Sequence, residues 1–157
     1  TDKDIGAIEI NNIQSQLGHD GIGYHYVIRR DGRLQRGRPA DRLGDHTSVN
    51  NHNKHSLGIV LVGGINVATG DTDALGNRSS SAFTREQYTT LERFCQAFYS
   101  RYPGGNVFGH NDLDVEESDP YFDVQEYTET VFRKQLNGIT DPLKDEPVDP
   151  TSTTLNT

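Results

Sequence analysis

Hydrophobic and polar positions along the chain switch between two periods, and the switches mark out a small set of elements. Ile10, Ile13 and Leu17 recur at helical spacing, with Ile5 and Ile8 extending the apolar side. Gly18 follows as a C-terminal stop, so residues 4–17 read as a helix. Two β-like runs come next, Tyr24 to Arg30 and Arg33 to Arg38, around Asp31-Gly32. An Asp-Gly pair between such runs predicts a hairpin with a type I′ turn, because glycine tolerates the positive φ that this turn requires. Residues 40–55 are polar and rich in histidine and asparagine, the composition of a surface loop. Ser56 to Val62 (SLGIVLV) is a continuous apolar run, which predicts a strand covered on both faces, ended by Gly63-Gly64.

Residues 65–82, rich in Gly, Ser and Asp, read as a long loop. Thr84 then opens the clearest helix. Thr84 and Gln87 fit a capping box, and Tyr88, Leu91, Cys95, Phe98 and Tyr102 recur at steps of three and four before Pro103-Gly104-Gly105 stops the pattern. Val107 and Phe108 suggest a short strand running into Gly109-His110. A last helix spans about Val124 to Leu136, with Asp123 and Glu126 as its capping pair and Gly138 as its stop. Helix, hairpin, strand, helix, strand, helix is the order of an α/β domain, a small mixed sheet covered by helices. The tail 139–157 carries prolines, acids and a Ser/Thr-rich end and reads as a linker or disordered extension. The expected division is therefore a domain over 1–138 and a tail over 139–157.

Composition narrows the function classes. A hydrophobic content of 32% is low, but sixteen glycines and the polar tail account for part of that, and 157 residues suit one domain with a single core. The formal charge of −8 argues against a surface that tracks nucleic-acid phosphates. No apolar stretch approaches the ~18–20 residues of a membrane span, and no signal peptide is visible. Cys95 is the single cysteine, which excludes an intrachain disulfide; its place on the apolar face of its helix points to core packing rather than to a nucleophile. The chain opens at Thr1 and contains no methionine, so Thr1 reads as a processed or truncated end.

The segment with chemical content is Gly109-His110-Asn111-Asp112-Leu113, followed by Asp119-Pro120-Tyr121-Phe122-Asp123. It sets a histidine at the end of an expected short strand and an aspartate nine residues later. Imidazole nitrogen and carboxylate oxygen are both good zinc ligands, and a catalytic zinc site takes three protein ligands plus an open position. The acidic run Asp112 to Asp119 does not fit an EF-hand, because Glu117 stands where the loop's sixth-position glycine belongs. Gly21-x-Gly23 lacks the third glycine and the following helix of a dinucleotide site. Asn77-Arg78-Ser79 is a glycosylation sequon that carries no information outside a secretory context.

Three blocks together carry a family resemblance: GIGYHYVIRRDGRLQRGRP (21–39), HNKHSLGIVLVGG (52–64) and GHNDL…DPYFDV (109–124). In this order and spacing they closely resemble the type 2 N-acetylmuramoyl-L-alanine amidases, a group that includes short phage lysozyme-amidases (endolysins), cell-wall recycling amidases and peptidoglycan recognition proteins. The resemblance covers residue 4 to about 135 and implies a central mixed β-sheet flanked by helices. It implies Zn2+ as cofactor, with His110 matching the second zinc histidine and Asp119 the third ligand in its aspartate form. Tyr24 matches the tyrosine that the phage branch keeps beside the metal, where a hydroxyl can donate to a tetrahedral oxyanion or orient a water. His46 sits where family members have a histidine on the groove rim; a substrate contact and a solvated loop histidine both fit it.

The implied substrate is peptidoglycan, cleaved at the amide between the lactyl group of N-acetylmuramic acid and L-alanine. The implied setting is a phage-encoded protein acting on the bacterial cell wall, from the host cytoplasm before lysis or from the virion, with the tail as a possible contact to another protein. Two positions depart from the family pattern. The family's first zinc histidine lies on a strand upstream of the first helix, and Thr1 begins only a few residues before that helix, so the first strand is expected to be missing from an N-terminally incomplete domain. Glu117 stands where active members often have lysine, and reads either as a general base or as a solvated loop carboxylate. Val60 occupies the position of a glutamate in the recycling branch. The rival to an amidase is therefore an amidase-derived module that binds cell wall, or builds a virion, without hydrolysis.

Overall fold

Strands β1 (Tyr26–Ile28), β2 (Leu34–Arg36) and β3 (Ile59–Leu61) form a mixed sheet in the order β2-β1-β3. The computed structural model describes residues 4–63, 83–117, 119–120 and 122–136, with 134–136 described by backbone only. β1 pairs antiparallel with β2 (Tyr26↔Arg36) and parallel with β3 (Tyr26↔Ile59). Side chains alternate across the sheet, so Val27 and Val60 pack on one face with Ala7 and Ile10 of helix α1 (Ala7–Gln16). Ile28, Leu34, Ile59 and Leu61 pack on the other with Leu91 and Cys95 of α2 (Arg85–Arg101) and Val131 of α4 (Val124–Leu136). A short helix α3 (His110–Leu113) precedes α4. The sheet thus lies between one helix and a pair, the α/β arrangement expected for the chain.

Caps fix the helix ends as the sequence indicates. Gln87 N–H donates to Thr84 Oγ1 at 3.1 Å and Thr84 N–H to Gln87 Oε1 at 3.0 Å. Glu126 N–H donates to Asp123 Oδ1 at 2.9 Å. After α1, Gly18 adopts φ +96°, and the N–H groups of Gly18 and His19 close back onto Ser15 and Gln14 carbonyls, a Schellman ending that only a glycine adopts without strain.

Four local expectations are corrected. The inner face of α1 is not the Ile10, Ile13, Leu17 stripe: Ile13 and Leu17 are 48% and 73% exposed. The inward positions after Ala7 and Ile10 are polar: Asn11 Oδ1 accepts the Ile22 N–H at 2.9 Å and Gln14 Oε1 the Gly23 N–H at 2.8 Å. The hairpin turn is not type I′, since Asp31 keeps negative φ. Gly32 N–H closes onto Arg29 carbonyl and Gly32 alone takes φ +86°, the three-residue loop with a glycine bulge. Val107 and Phe108 form no strand, and His110 opens a short helix instead of ending one. β3 has both faces in contact with helix-bearing clusters, yet Ile59, Val60 and Leu61 are only half-buried. The expected 65–82 loop, the Asn77 sequon, the Gly138 stop and the 139–157 tail lie outside the described residues.

Candidate metal centre and active site

The loop from Gly109 to Phe122 is built to bring its ends together. Gly109 is buried, and a Cβ there would meet Asn111 Oδ1 at 2.3 Å and Val124 Cγ2 at 2.9 Å, so only glycine lets α3 start this close to α4. Asp112 Oδ2 accepts the Gly109 N–H at 2.7 Å and the Gln125 amide at 3.0 Å, and Gln125 also donates to Val107 carbonyl. The chain then turns: Asp114 N–H bonds to His110 carbonyl, and Glu117 N–H to Asp114 carbonyl. Asn111 N–H reaches Asp119 carbonyl at 3.0 Å, and a cis Asp119-Pro120 bond follows. Beyond the turn, Phe122 is locked edge-on among Phe83, Tyr88 and Tyr127, with centroids 5.5–6.1 Å away.

The result is a convergence of His110, Glu117 and Asp119. His110 Nδ1 lies 3.2 Å from Asp119 Oδ1. One ligand atom from each of the three lies within 4.8 Å of the others. Two donors held about 2.1 Å from a tetrahedral zinc stand about 3.4 Å apart, so the 3.2 Å His110–Asp119 separation matches one edge of such a polyhedron. The imidazole and carboxylate donors also suit the ion chemically. His110 and Asp119 therefore fit two positions of a zinc site, with Glu117 close by.

Tyr24 lies near enough to this cluster for the charges of Asp119 and Glu117 to act on its hydroxyl. Gly37 and Arg38 N–H groups donate to His25 and Tyr24 carbonyls and so prolong the β1–β2 ladder past its strands, which fixes the Tyr24 backbone. Burial, and then the charges of Asp119 and Glu117, raise the Tyr24 phenol above its ordinary 10.0. It is a protonated donor at any physiological pH.

Residues 2–122 match the family described as N-acetylmuramoyl-L-alanine amidase. The chain belongs to that family. Among curated relatives, the endolysin of Enterobacteria phage K11 is 35% identical over 81% of this chain and 77% of its own length. The endolysin of Escherichia phage T7 is 31% identical over the same shares. Among solved structures, the N-acetylmuramoyl-L-alanine amidase LysC from Clostridium intestinale superposes with a TM-score of 0.66 at 26% identity, over 84% of this chain and 79% of that one. The chain is thus a member of a hydrolase family, and its mixed sheet with flanking helices is an amidase fold.

In this amidase fold, His46 is more deeply placed than a loop-rim histidine. Its ring is near-parallel to Tyr24 (6.5 Å between centroids, 19°) and edge-on to His25 at 5.8 Å. It is wedged between Gly44 and Gly58, where a Cβ would approach its Cδ2 to 2.4 and 2.3 Å. Burial first, then the His25 and His110 imidazoles and the Arg38 guanidinium, lower its pKa from 6.5 to about 4, with Asp45 opposing. His46 is therefore neutral at pH 7.

Two supporting residues carried no signal in the sequence pattern. His25 is buried, accepts the Gly58 N–H at Nδ1 (2.9 Å) and approaches Arg42 carbonyl with Nε2 at 2.9 Å, which assigns the proton to Nε2 and a packing role to the ring. Arg38, 8% exposed, donates to Ile22, Leu43 and Asp20 carbonyls at 2.7 Å each, pinning the loops on both sides of Tyr24. An arginine next to proline at the end of a strand run looks like a solvated charge; only the three converging carbonyls show otherwise. Cys95 is 2% exposed, and burial pushes its thiol up to about 12, as core packing requires.

Proposed function

We propose that the chain is a zinc-dependent peptidoglycan amidase that hydrolyses the amide between N-acetylmuramic acid and L-alanine, serving a phage as an endolysin that acts on the bacterial cell wall. The observation that carries this reading is the meeting of His110 Nδ1 and Asp119 Oδ1 at 3.2 Å, with charges that act on a protonated Tyr24. His110 and Asp119 would hold the zinc, which supplies a Lewis acid for the scissile carbonyl and acidifies a water towards pKa ~7. Tyr24 supplies a hydroxyl donor for the oxygen on which negative charge develops, and its raised pKa keeps that proton in place. Neutral His46, with both Asp45 and Arg38 acting on it, offers the substrate one donor and one acceptor. Residues 1–138 would form the hydrolytic domain and 139–157 a tail.

The test uses the full chain prepared without chelator. About one zinc per chain and release of free peptide from muramyl-peptide substrate are the expected results, and His110→Ala should abolish both. A zinc-free preparation, or undiminished hydrolysis by the variant, would sink the reading.

One observation favours a second function. Glu117 adds a carboxylate near Tyr24, where charge develops in amide hydrolysis, and its sign opposes that charge. A module that binds peptidoglycan without cleaving it accommodates this. Wall binding with no turnover by the zinc-loaded chain selects that function.

A further inference from the structure

We propose that Glu117 is itself a metal ligand, so that the loop 110–119 contributes one imidazole and two carboxylates to the site. The proposal deepens the zinc reading above and rests on it.

The backbone argues first. The turn that starts at Asp114 is closed by the Glu117 N–H on Asp114 carbonyl (3.1 Å) and by the Glu116 N–H on Asp114 Oδ1 (3.0 Å). It reverses the chain so that Glu117 returns beside His110, seven positions earlier in the sequence. Without that reversal, an exposed glutamate would have no reason to share a 4.8 Å sphere with His110 and Asp119. The separations in the cluster exceed the ~3.4 Å edge of a tetrahedral site by at most about 1.4 Å. Glu117 is exposed on a flexible stem, so rotation about its own side-chain bonds can close that gap.

Charge argues second. Asp119 pairs with His110, and among the described residues no lysine or arginine pairs with Glu117 or Asp119. Both carboxylates also act on the same Tyr24 hydroxyl, so both lie near one group. Two like charges gathered beside the His110 imidazole fit a divalent cation whose charge they match. The two oxygen donors make this a harder site than one built of imidazoles and thiolate, open to cobalt and manganese as well as zinc.

The experiment measures zinc affinity of the full chain by competition with a chromophoric chelator, and the visible spectrum of the cobalt form. Wild type, Glu117→Gln, Asp119→Asn and Glu116→Gln are compared, with circular dichroism as the folding check. Glu116 is an exposed carboxylate in the same turn and controls for general charge. Expected are at least tenfold weaker binding for Glu117→Gln and Asp119→Asn, an altered cobalt band for Glu117→Gln, and less than a twofold change for Glu116→Gln. Equal affinity and an unchanged spectrum in folded Glu117→Gln overturn the proposal and leave the zinc reading intact. Equal losses in Glu116→Gln and Glu117→Gln also overturn it, because they report charge alone. A wild type that binds no zinc removes both.

Discussion

A methyl group at Gly44 or Gly58 would come within 2.4 or 2.3 Å of His46 Cδ2, so the position of this ring is set by the space those glycines leave. The same enclosure holds it neutral. Its pKa of about 4 lies below the unfolded value of 6.5. The contribution to stability is thus fully present above pH 6.5 and is lost as pH falls through about 4, because the unfolded chain takes up a proton that the folded one refuses. With metal chelated, urea midpoints should fall from pH 7 to pH 4.5 in the wild type and fall less steeply in His46→Gln. Parallel pH profiles for the two proteins would show that His46 titrates normally in the fold. The variant should also hydrolyse substrate more slowly at pH 7, since glutamine lacks the ring that sits beside Tyr24.

At the scale of elements, α2 is the part that ties the sheet to the site. Gln87, fully buried, donates from Nε2 to Ile28 and Val62 carbonyls at 3.1 and 2.8 Å, while its Oε1 caps Thr84. Thr84 and Thr90 hydroxyls donate to Arg30 and Gly32 carbonyls, fastening the helix to the hairpin turn. Gln87→Leu keeps the volume but leaves two strand-end carbonyls and one helix-start N–H without this partner. Buried unsatisfied groups cost about 1–3 kcal/mol each with partial relief from water, so a loss of about 2–4 kcal/mol is expected in denaturant unfolding; a loss under about 0.5 kcal/mol would mean that the network is not strained by the change. Gln87 also shows what a sequence can and cannot disclose. Its capping role was legible from Thr84-x-x-Gln87, a local spacing, as was the Asp123–Glu126 cap of α4. Its bonds to the sheet were not, because they depend on residues 25 and 59 positions away. Periodicity misses the inner face of α1 for a related reason. Periodicity counts apolar residues, whereas Asn11 and Gln14 face inward to satisfy the backbone of Ile22 and Gly23. At the site, His110 and Asp119 could be paired from the motif blocks. The approach of Glu117 depends on a turn, and the wedging of His46 on two distant glycines, and neither leaves a mark in composition.

Among the described residues two apolar clusters lie on opposite sides of one sheet, and the candidate site lies where their margins meet. Tyr24 packs against the α1-side cluster, while Phe122, just beyond Asp119, packs against the α2–α4 side. A cation on the 110–119 loop would fix the approach of Phe122 to its aromatic neighbours and of Asp112 to Gln125, contacts that hold the start of α4. Metal binding should therefore be felt by the fold as a whole. A ligand that binds only the native state at a hundred times its dissociation constant adds about 2.7 kcal/mol. For a chain of this size that is about 5–10 °C in Tm. Scanning calorimetry of the chelated chain should show that rise on adding zinc to that excess, and no rise in His110→Ala. Phe122→Ala provides the internal control. It removes the anchor while leaving the ligands, so zinc should still bind but raise Tm by less than in the wild type, as the loop can then close on the ion without drawing α4 with it. An equal rise in Phe122→Ala would confine the effect of the metal to its own loop and uncouple the site from the α2–α4 core.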